Sequence, residues 1–582
     1  MRNQENIGGS VKPSRLRKGA LCSIWCTGML LIEPAALKAQ TVLPSQVLAP
    51  DPRVDHQPSI PPVGSQPVID LVSDAVAGDE RFEIGGVELV GAFPEMASVN
   101  EVFQRQWSGK SVSFAELFRA ARDLEAAYAR EGYVLARVTL PKQRFGSGGM
   151  VKLVVTDGYI ERVTSAGLPP RLRRVAEKSV GELEGVRHLT LSQIERKLLV
   201  LADYPGIKLR SALARGQMDG GVELALAGEV DPVAASLETN NKLPASLGRW
   251  QLTTNVAVND LLRAGEQLYL VAGSGTDIDR VGSSRFQLGM LGGGVTLPIG
   301  SGGLKVSAEY LASLTRPQSL SGGLPAVGHY AKGELRARMP LVLTRSDAVY
   351  ATATLEDISQ SLDLPDFATQ VSRDHYAAMR LAGTWQSMSG KVPFTLSLTY
   401  SHGLGGRKAD DQVPLSRQGS KPTFSRVELM GNANVALPGR FAFDVTVRGQ
   451  HGFDAPLMLP EQFALDADNG VSAFQSGSFN VDTGVSVRAE IQAGRLGISR
   501  NVQLAPYLFG AGGAGHLAAS TSAEFTNVQI AGLGAGARLS VGRLPWLGSG
   551  GLSLGIEYGR QFTSIAARPN LDRLNVRVGV QF

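Results

Sequence analysis

The run Gly510-Ala511-Gly512-Gly513-Ala514-Gly515 matches GxGxxG, the spacing with which backbone N–H groups cradle a pyrophosphate at a helix N-terminus. That chemistry needs a parallel strand before the run, a helix after it and an acidic residue about 20 positions on. None of these is evident in the sequence. Glycines facing a crowded interior, or marking a bulge, are the better reading. Gly532, Gly534 and Gly536 alternate similarly and are read as places where another segment approaches a wall. The seven histidines, at 56, 188, 329, 375, 402, 451 and 516, form no pair at metal-binding spacing. The carboxylate pairs Asp410/Asp411 and Asp466/Asp468 stand in polar connections, where a solvated loop is expected rather than a catalytic dyad. No Walker loop, HExxH or GxSxG occurs. No catalytic, metal-binding or cofactor-binding residue is assigned, and no enzyme activity is expected.

The composition points to a β-rich protein instead. Of 582 residues, 43% are apolar and 19% charged, too apolar and too weakly charged for a disordered chain. Past residue 40 no apolar run approaches the ~20 residues of a spanning helix. Glycine is abundant at 68 residues, which favours β architectures. The formal charge of +5 is concentrated at the N-terminus, where residues 1–39 carry +4 and leave +1 for the rest. A near-neutral body gives no support for nucleic-acid binding, which needs a basic face.

Residues 1–39 read as an export signal. Lys12 to Lys18 form a basic region, Gly19 to Ile32 an apolar one too short to span, and Ala35, Ala36 and Ala39 a small-residue cleavage region. Both cysteines, Cys22 and Cys26, lie inside it, so the mature chain is expected to lack thiols, disulfides and thiolate metal sites. An exported, cysteine-free, β-rich chain suits the envelope of a Gram-negative bacterium.

Three zones follow. Residues 40–80 form a linker with seven prolines between Pro44 and Pro67. Within it, Val68 to Ala77 has helical spacing; a short plug-like helix and a frayed linker both fit. Residues 81–162 and 163–230 read as two α+β modules of similar plan. In the first, Ser113 and Glu116 form a capping box before the apolar face Phe114, Leu117, Phe118, Ala121, Leu124 and Tyr128. Gly132 is expected to end that helix, and Tyr133–Leu140 and Met150–Val155 to be strands. In the second, Thr190 and Gln193 cap a helix through Leu201, followed by strands at 207–214 and 221–226.

Residues 231–582 alternate apolar and polar in segments of about ten, as in Phe394, Leu396, Leu398 and Tyr400 against Thr395, Ser397 and Thr399. In the last such segment Leu574, Val576, Val578, Val580 and Phe582 share a face, and a terminal aromatic there is the usual signal to the machinery that assembles outer-membrane barrels. A β-protein spans lipid only as a closed barrel. At roughly 22 residues per strand and connection, this zone supplies about 16 antiparallel strands. Aromatics at 6% are thin for two interfacial girdles.

This order of parts resembles the outer-membrane transporters of two-partner secretion, the haemolysin secretion/activation family of the Omp85 superfamily, whose modules are POTRA domains. Leu237-Glu238-Thr239-Asn240-Asn241 with Ser246-Leu247-Gly248-Arg249 looks like the family's opening hairpin. Glu461 to Leu465 looks like the approach to its inward-folded loop, and Ala505 to Phe509 like the strand that receives it. The resemblance implies a transmembrane barrel in the outer membrane with periplasmic modules. It implies a secreted partner protein as cargo, recruited by the modules, and no cofactor. In that family a loop-tip arginine pairs with an aspartate on the wall. Here the tip reads Val471-Ser472-Ala473-Phe474 and the wall Phe509-Gly510-Ala511, so both charges are absent. Losing both avoids stranding either one, which would cost about 3–5 kcal/mol. Packing of Phe474 on Phe509 is expected to hold the loop instead. A barrel-assembly factor, and less so a passive porin, stay open as alternatives.

Overall fold

The computed structural model describes residues 43–47, 64–65 and, with short gaps, 81–582. The export segment 1–39 and the helical spacing at 68–77 lie outside the described residues. After a two-residue strand β1 (Gly64–Ser65), the first module runs β2 (Arg81–Val90), α1 (Ala97–Gln106), β3 (Ser111–Ser113), α2 (Phe114–Arg130), β4 (Arg137–Thr139) and β5 (Gly149–Thr156). Its sheet has the order β3-β2-β5-β4, with β2 and β5 parallel.

The Ser113–Glu116 capping box forms, and Leu117, Ala120, Ala121, Leu124 and Tyr128 make the buried face of α2. The expected strand from Tyr133 shrinks to Arg137–Thr139. The reason lies in the helix end. Gly132 adopts φ +99°, its N–H reaches Ala129 O (3.0 Å), and Tyr133 N–H reaches back to Tyr128 O (2.9 Å). This Schellman closure spends the backbone that a strand would have used.

The second module comprises β6 (Tyr159–Gly167), α3 (Pro170–Val180), α4 (Leu191–Ala202), β7 (Ile207–Arg215) and β8 (Gly221–Val230), with sheet order β1-β7-β8-β6. The expected boundary between residues 162 and 163 therefore cuts through β6, all of which belongs to the second sheet; the division falls at Asp157–Gly158. The first module has a core of its own, made only from residues between 82 and 155. The second shares its core with barrel residues Leu343, Ala348 and Tyr350. Arg196 donates to the carbonyls of Pro340 and Leu341 (3.2 Å each), and Lys305 pairs with Asp203 at 2.7 Å.

The remainder closes into a sixteen-stranded antiparallel barrel. Its first strand, Val233–Asn240, pairs with its last, Asp572–Gln581, and Phe582 N–H reaches Ala235 O at 2.9 Å. The two faces separate as the alternation demands. On the strand Phe394–Gly405, Leu396, Leu398 and Tyr400 are exposed outward while Ser401 is buried inward. On the last strand Leu574 faces out and Asn575 in. No helix among the described residues is long and apolar enough to cross a membrane.

Residues 453–482 leave the end of the barrel opposite the modules and fold back into its lumen. A small hairpin, Phe463–Ala464 against Asn480–Val481, gives this loop its own rigidity. The segment Leu43–Val47, one 3-10 turn, is buried at the same far end, where Val47 packs on Leu243, Leu247 and Leu288.

Candidate functional site: the lumen loop and its sockets

The loop is held at three points. At the first, Glu461 is fully buried. It accepts two hydrogen bonds from Arg380 (2.9 and 3.0 Å), one from Arg426 (2.8 Å) and one from the Tyr376 hydroxyl (2.7 Å). Burial alone would raise its carboxyl; the two guanidiniums overcome that and hold it at about 2. Each arginine keeps a second carboxylate on the wall itself, Glu356 for Arg380 (2.8 Å) and Glu428 for Arg426 (3.0 Å). Loop departure would thus strand neither cation.

The second point ties three far-end connections together. Arg417, between barrel strands at 394–405 and 425–436, chelates Asp482 at 2.8 and 2.9 Å. Asp482 also accepts the N–H groups of Leu457 (3.1 Å) and Ala518 (2.9 Å), and Arg417 donates to Ala518 O at 2.7 Å. Both side chains are almost wholly buried.

The third is the tip. The Ser472 hydroxyl donates to Glu557 (2.5 Å) and accepts from Arg488. Its carbonyl accepts from Lys242 and Asn575, both at 2.9 Å. Arg488 in turn pairs with Glu557 (2.6 Å) and Glu490 (2.8 Å), and Glu490 with Arg538 (2.8 Å). Asp468 pairs with Lys242 at 3.2 Å and with Arg577. Wall residues Arg488 and Glu557 and the connection residue Lys242 therefore supply the charges that touch Ser472, and position 472 itself contributes only a hydroxyl and a carbonyl.

The sequence-derived residues fall around this socket. Val471, Ala473 and Phe474 join Leu465, Phe479 and Ala511 in one apolar cluster. Ala511 is the register partner of Arg488, so it flanks the same guanidinium that Ser472 meets. The expected packing of Phe474 on Phe509 is replaced. Phe474 meets Phe479 edge-on (5.1 Å between centroids), while Phe509 lies under Arg488 (4.2 Å). Gly510 faces outward beside Leu533. The GxGxxG run is part of the strand Val502–His516, not a strand–helix turn. A Cβ at Gly515 would lie 2.7 Å from Val481 of the loop, and one at Gly532 would lie 2.9 Å from Ala473. Gly534 makes room for a wall ring instead, Phe509 at 2.7 Å, and Gly536 faces Tyr507.

Sequence reasoning missed Arg488, Glu557, Lys242 and the Arg417–Asp482 pair. The signal for the first two was present: Arg488 follows Val485 and Val487, and Glu557 stands between Ile556 and Tyr558, at inward positions of alternating strands. The others sit in connections, where alternation carries no information. Among the described residues no group of His, Cys, Asp or Glu could hold a metal ion.

One titration follows from this geometry. Burial raises the Asp466 carboxyl to about 6, against the pull of Lys242 and the N–H groups of Ser478 and Phe479. Its ordinary value is about 3.9. A carboxyl whose pKa rises on seating takes up a proton as the loop seats, so acidification through pH 6 favours the seated loop, with no further gain below about 4. Single-channel conductance is expected to fall between pH 7.5 and 5, and Asp466→Asn to abolish that change. A conductance that rises on acidification would refute it.

A closed barrel, plugged by its own loop and joined to α+β modules, defines an outer-membrane transport barrel. Residues 222–539, more than half of the chain, match the family described as haemolysin secretion/activation protein ShlB/FhaC/HecB, and the chain belongs to that family. Residues 82–158 match the ShlB-type POTRA domain. The chain is 21% identical over 399 residues to the heme/hemopexin transporter protein HuxB of Haemophilus influenzae, covering 67% of this chain and 68% of that one. It is 23% identical to the outer membrane transporter CdiB of Dickeya dadantii, covering 65% and 67%. The solved structure of CdiB from Escherichia coli superposes with a TM-score of 0.69 at 18% identity, covering 90% of this chain and 94% of the other. CdiB from Acinetobacter baumannii gives 0.60 at 13% identity over 87% and 91%.

Proposed function

We propose that this chain is a protein-translocating pore of the outer membrane of a Gram-negative bacterium, exporting an unfolded partner exoprotein. The observation that carries the reading is the design of the lumen loop. Its anchors are ionic or hydrogen-bonded, and Arg380, Arg426 and Arg488 each have a carboxylate partner on the wall. When such a plug leaves, these three arginines stay paired, which a static porin has no need for.

On this reading the modules lie in the periplasm. Residues 81–157 are one POTRA domain and 159–230, by the similar order of their elements, a second. An extended stretch of cargo would add to a module edge by β-augmentation. With no nucleotide in the periplasm, cargo folding outside the cell would bias the passage. Leu574, Val576, Val578, Val580 and Phe582 would be read by the barrel-assembly machinery.

Removal of residues 81–157 tests the recruitment step. That module has a core independent of the barrel, so the variant is expected to keep its heat-modifiable band on gels while export of the partner falls to background. Persistent export would show that the first module is not the receptor.

A further inference from the structure

The rim of the barrel nearest the modules carries arginines that have no counter-charge among the described residues. Arg440 ends one turn, before the strand Phe441–Gly452; Arg495 and Arg500 flank the short strand Leu496–Ser499 in the neighbouring connection. All three are exposed and none has an ion pair among the described residues. The two connections touch, since a Cβ at Gly494 would lie 2.5 Å from Arg440 Cβ. No acidic residue occurs at 437–441 or 494–501.

Apolar side chains interleave with these cations. Leu437, Leu496 and Ile498 are 36%, 46% and 63% exposed. Leu496 is paired with Leu504 across the hairpin, on the side that continues to the outward-facing Leu508. The patch is therefore continuous with the lipid-facing band. The second module does not cover it, because that module's contacts run through Lys305, Pro340, Leu341 and Arg345.

The same chemistry recurs elsewhere on this rim. Leu261 and Leu262 are 58% and 70% exposed and are followed by Arg263. Their turn has φ +55° at Asp260 and +64° at Arg263. It is locked by buried Glu266, which accepts from the N–H groups of Leu262 and Ala264 (3.0 Å for the latter), and by Asp260, which accepts from Gly265 N–H at 3.0 Å. The turn is thus rigid, with two leucines on display. Phe441, next to Arg440 and 52% exposed, adds an aromatic of the kind found at membrane interfaces.

We propose that the Arg440–Arg495–Arg500 patch binds an anionic diacyl phospholipid of the leaflet on the module side, its phosphate on the guanidiniums and its acyl chains along Leu496 and Ile498. Guanidinium matches phosphate with paired donors, and its long stem lets the charge reach the headgroup while carbon stays in the acyl layer. Charge with interleaved apolar residues is the composition of interfacial anchors. The inference rests on the barrel being in a membrane, not on what it exports.

The test is native mass spectrometry of the full chain in detergent, with phosphatidylglycerol and phosphatidylethanolamine supplied equally. The wild type is expected to retain phosphatidylglycerol at least fivefold over phosphatidylethanolamine. Arg440→Gln/Arg495→Gln/Arg500→Gln is expected to bring the ratio near parity with heat-modifiability unchanged, because these side chains support no ion pair. Leu496→Ser/Ile498→Ser is expected to reduce retention of both lipids. Equal retention by the wild type, or an unchanged preference in the triple variant, would overturn the proposal, as would patch-dependent capture of the exported partner in place of lipid.

Discussion

Arg417→Ala is expected to destabilise the closed far end of the barrel by about 3–5 kcal/mol, the usual penalty for removing one member of a buried pair. The partner left behind, Asp482, is inaccessible to solvent and would keep only neutral donors, the N–H groups of Leu457 and Ala518 and, at 3.5 Å, the Gln462 amide. Three connections lose their common tie at once, because Arg417 also donates to the carbonyls of Leu457 (3.2 Å) and Ala518 (2.7 Å). The loop should then be cut by external protease in intact cells, and channel openings in planar bilayers should become frequent. Arg417→Ala/Asp482→Ala is expected to recover part of the loss, since no charge is stranded when both leave. A double variant worse than the single one would show that the arginine acts through packing rather than pairing. Barrel assembly itself should be unaffected, because the pair joins connections and not strands.

The parts of this molecule legible in its sequence are those where one residue's neighbours in sequence are also its constraints. Alternation along Phe394–Gly405 and along the last strand gave faces that the structure reproduces, because a strand in lipid must sort its side chains by parity. Capping boxes at Ser113 and Thr190 marked helix starts for the same local reason. Helix α3 was missed: Leu172, Ala176 and Val180 keep helical spacing, but Arg171, Arg173, Arg174, Glu177 and Lys178 mask it. The tip socket was only half legible. Positions 471–474 and 509–511 could be located by resemblance. The cation serving them comes from Arg488, on a strand beyond the loop, and its carboxylate from Glu557, 69 residues further on. No spacing rule connects residues that meet only because a barrel closes.

That non-local origin makes the tip testable in a way the motif alone is not. Around Ser472, Arg488 and Arg538 balance Glu490 and Glu557, and Lys242, on the Ser472 carbonyl, is balanced by Asp468. Ser472→Arg, which restores the residue type the family resemblance would place there, adds a further cation to a cluster whose charges are already paired. It also removes the hydroxyl that joins Arg488 to Glu557. The expected result is therefore loss, not gain, of loop anchoring, by about 2 kcal/mol or roughly thirtyfold in the seated fraction. Single-channel records should show it as a longer open time. Ala511→Asp supplies the missing charge at the register partner of Arg488. Alone, it should be near neutral or unfavourable, since Ala511 is 8% exposed within an apolar cluster. Combined with Ser472→Arg it should restore closure, with a coupling of about 1–3 kcal/mol in the double-mutant cycle. If Ser472→Arg alone closes the channel more firmly, the carboxylates rather than the arginines dominate the local field, and the charge balance drawn from these distances is wrong. If the two substitutions are additive, positions 472 and 511 do not act on the same guanidinium, and the tip is held chiefly by Lys242 and Asn575 through the Ser472 carbonyl, which neither substitution touches.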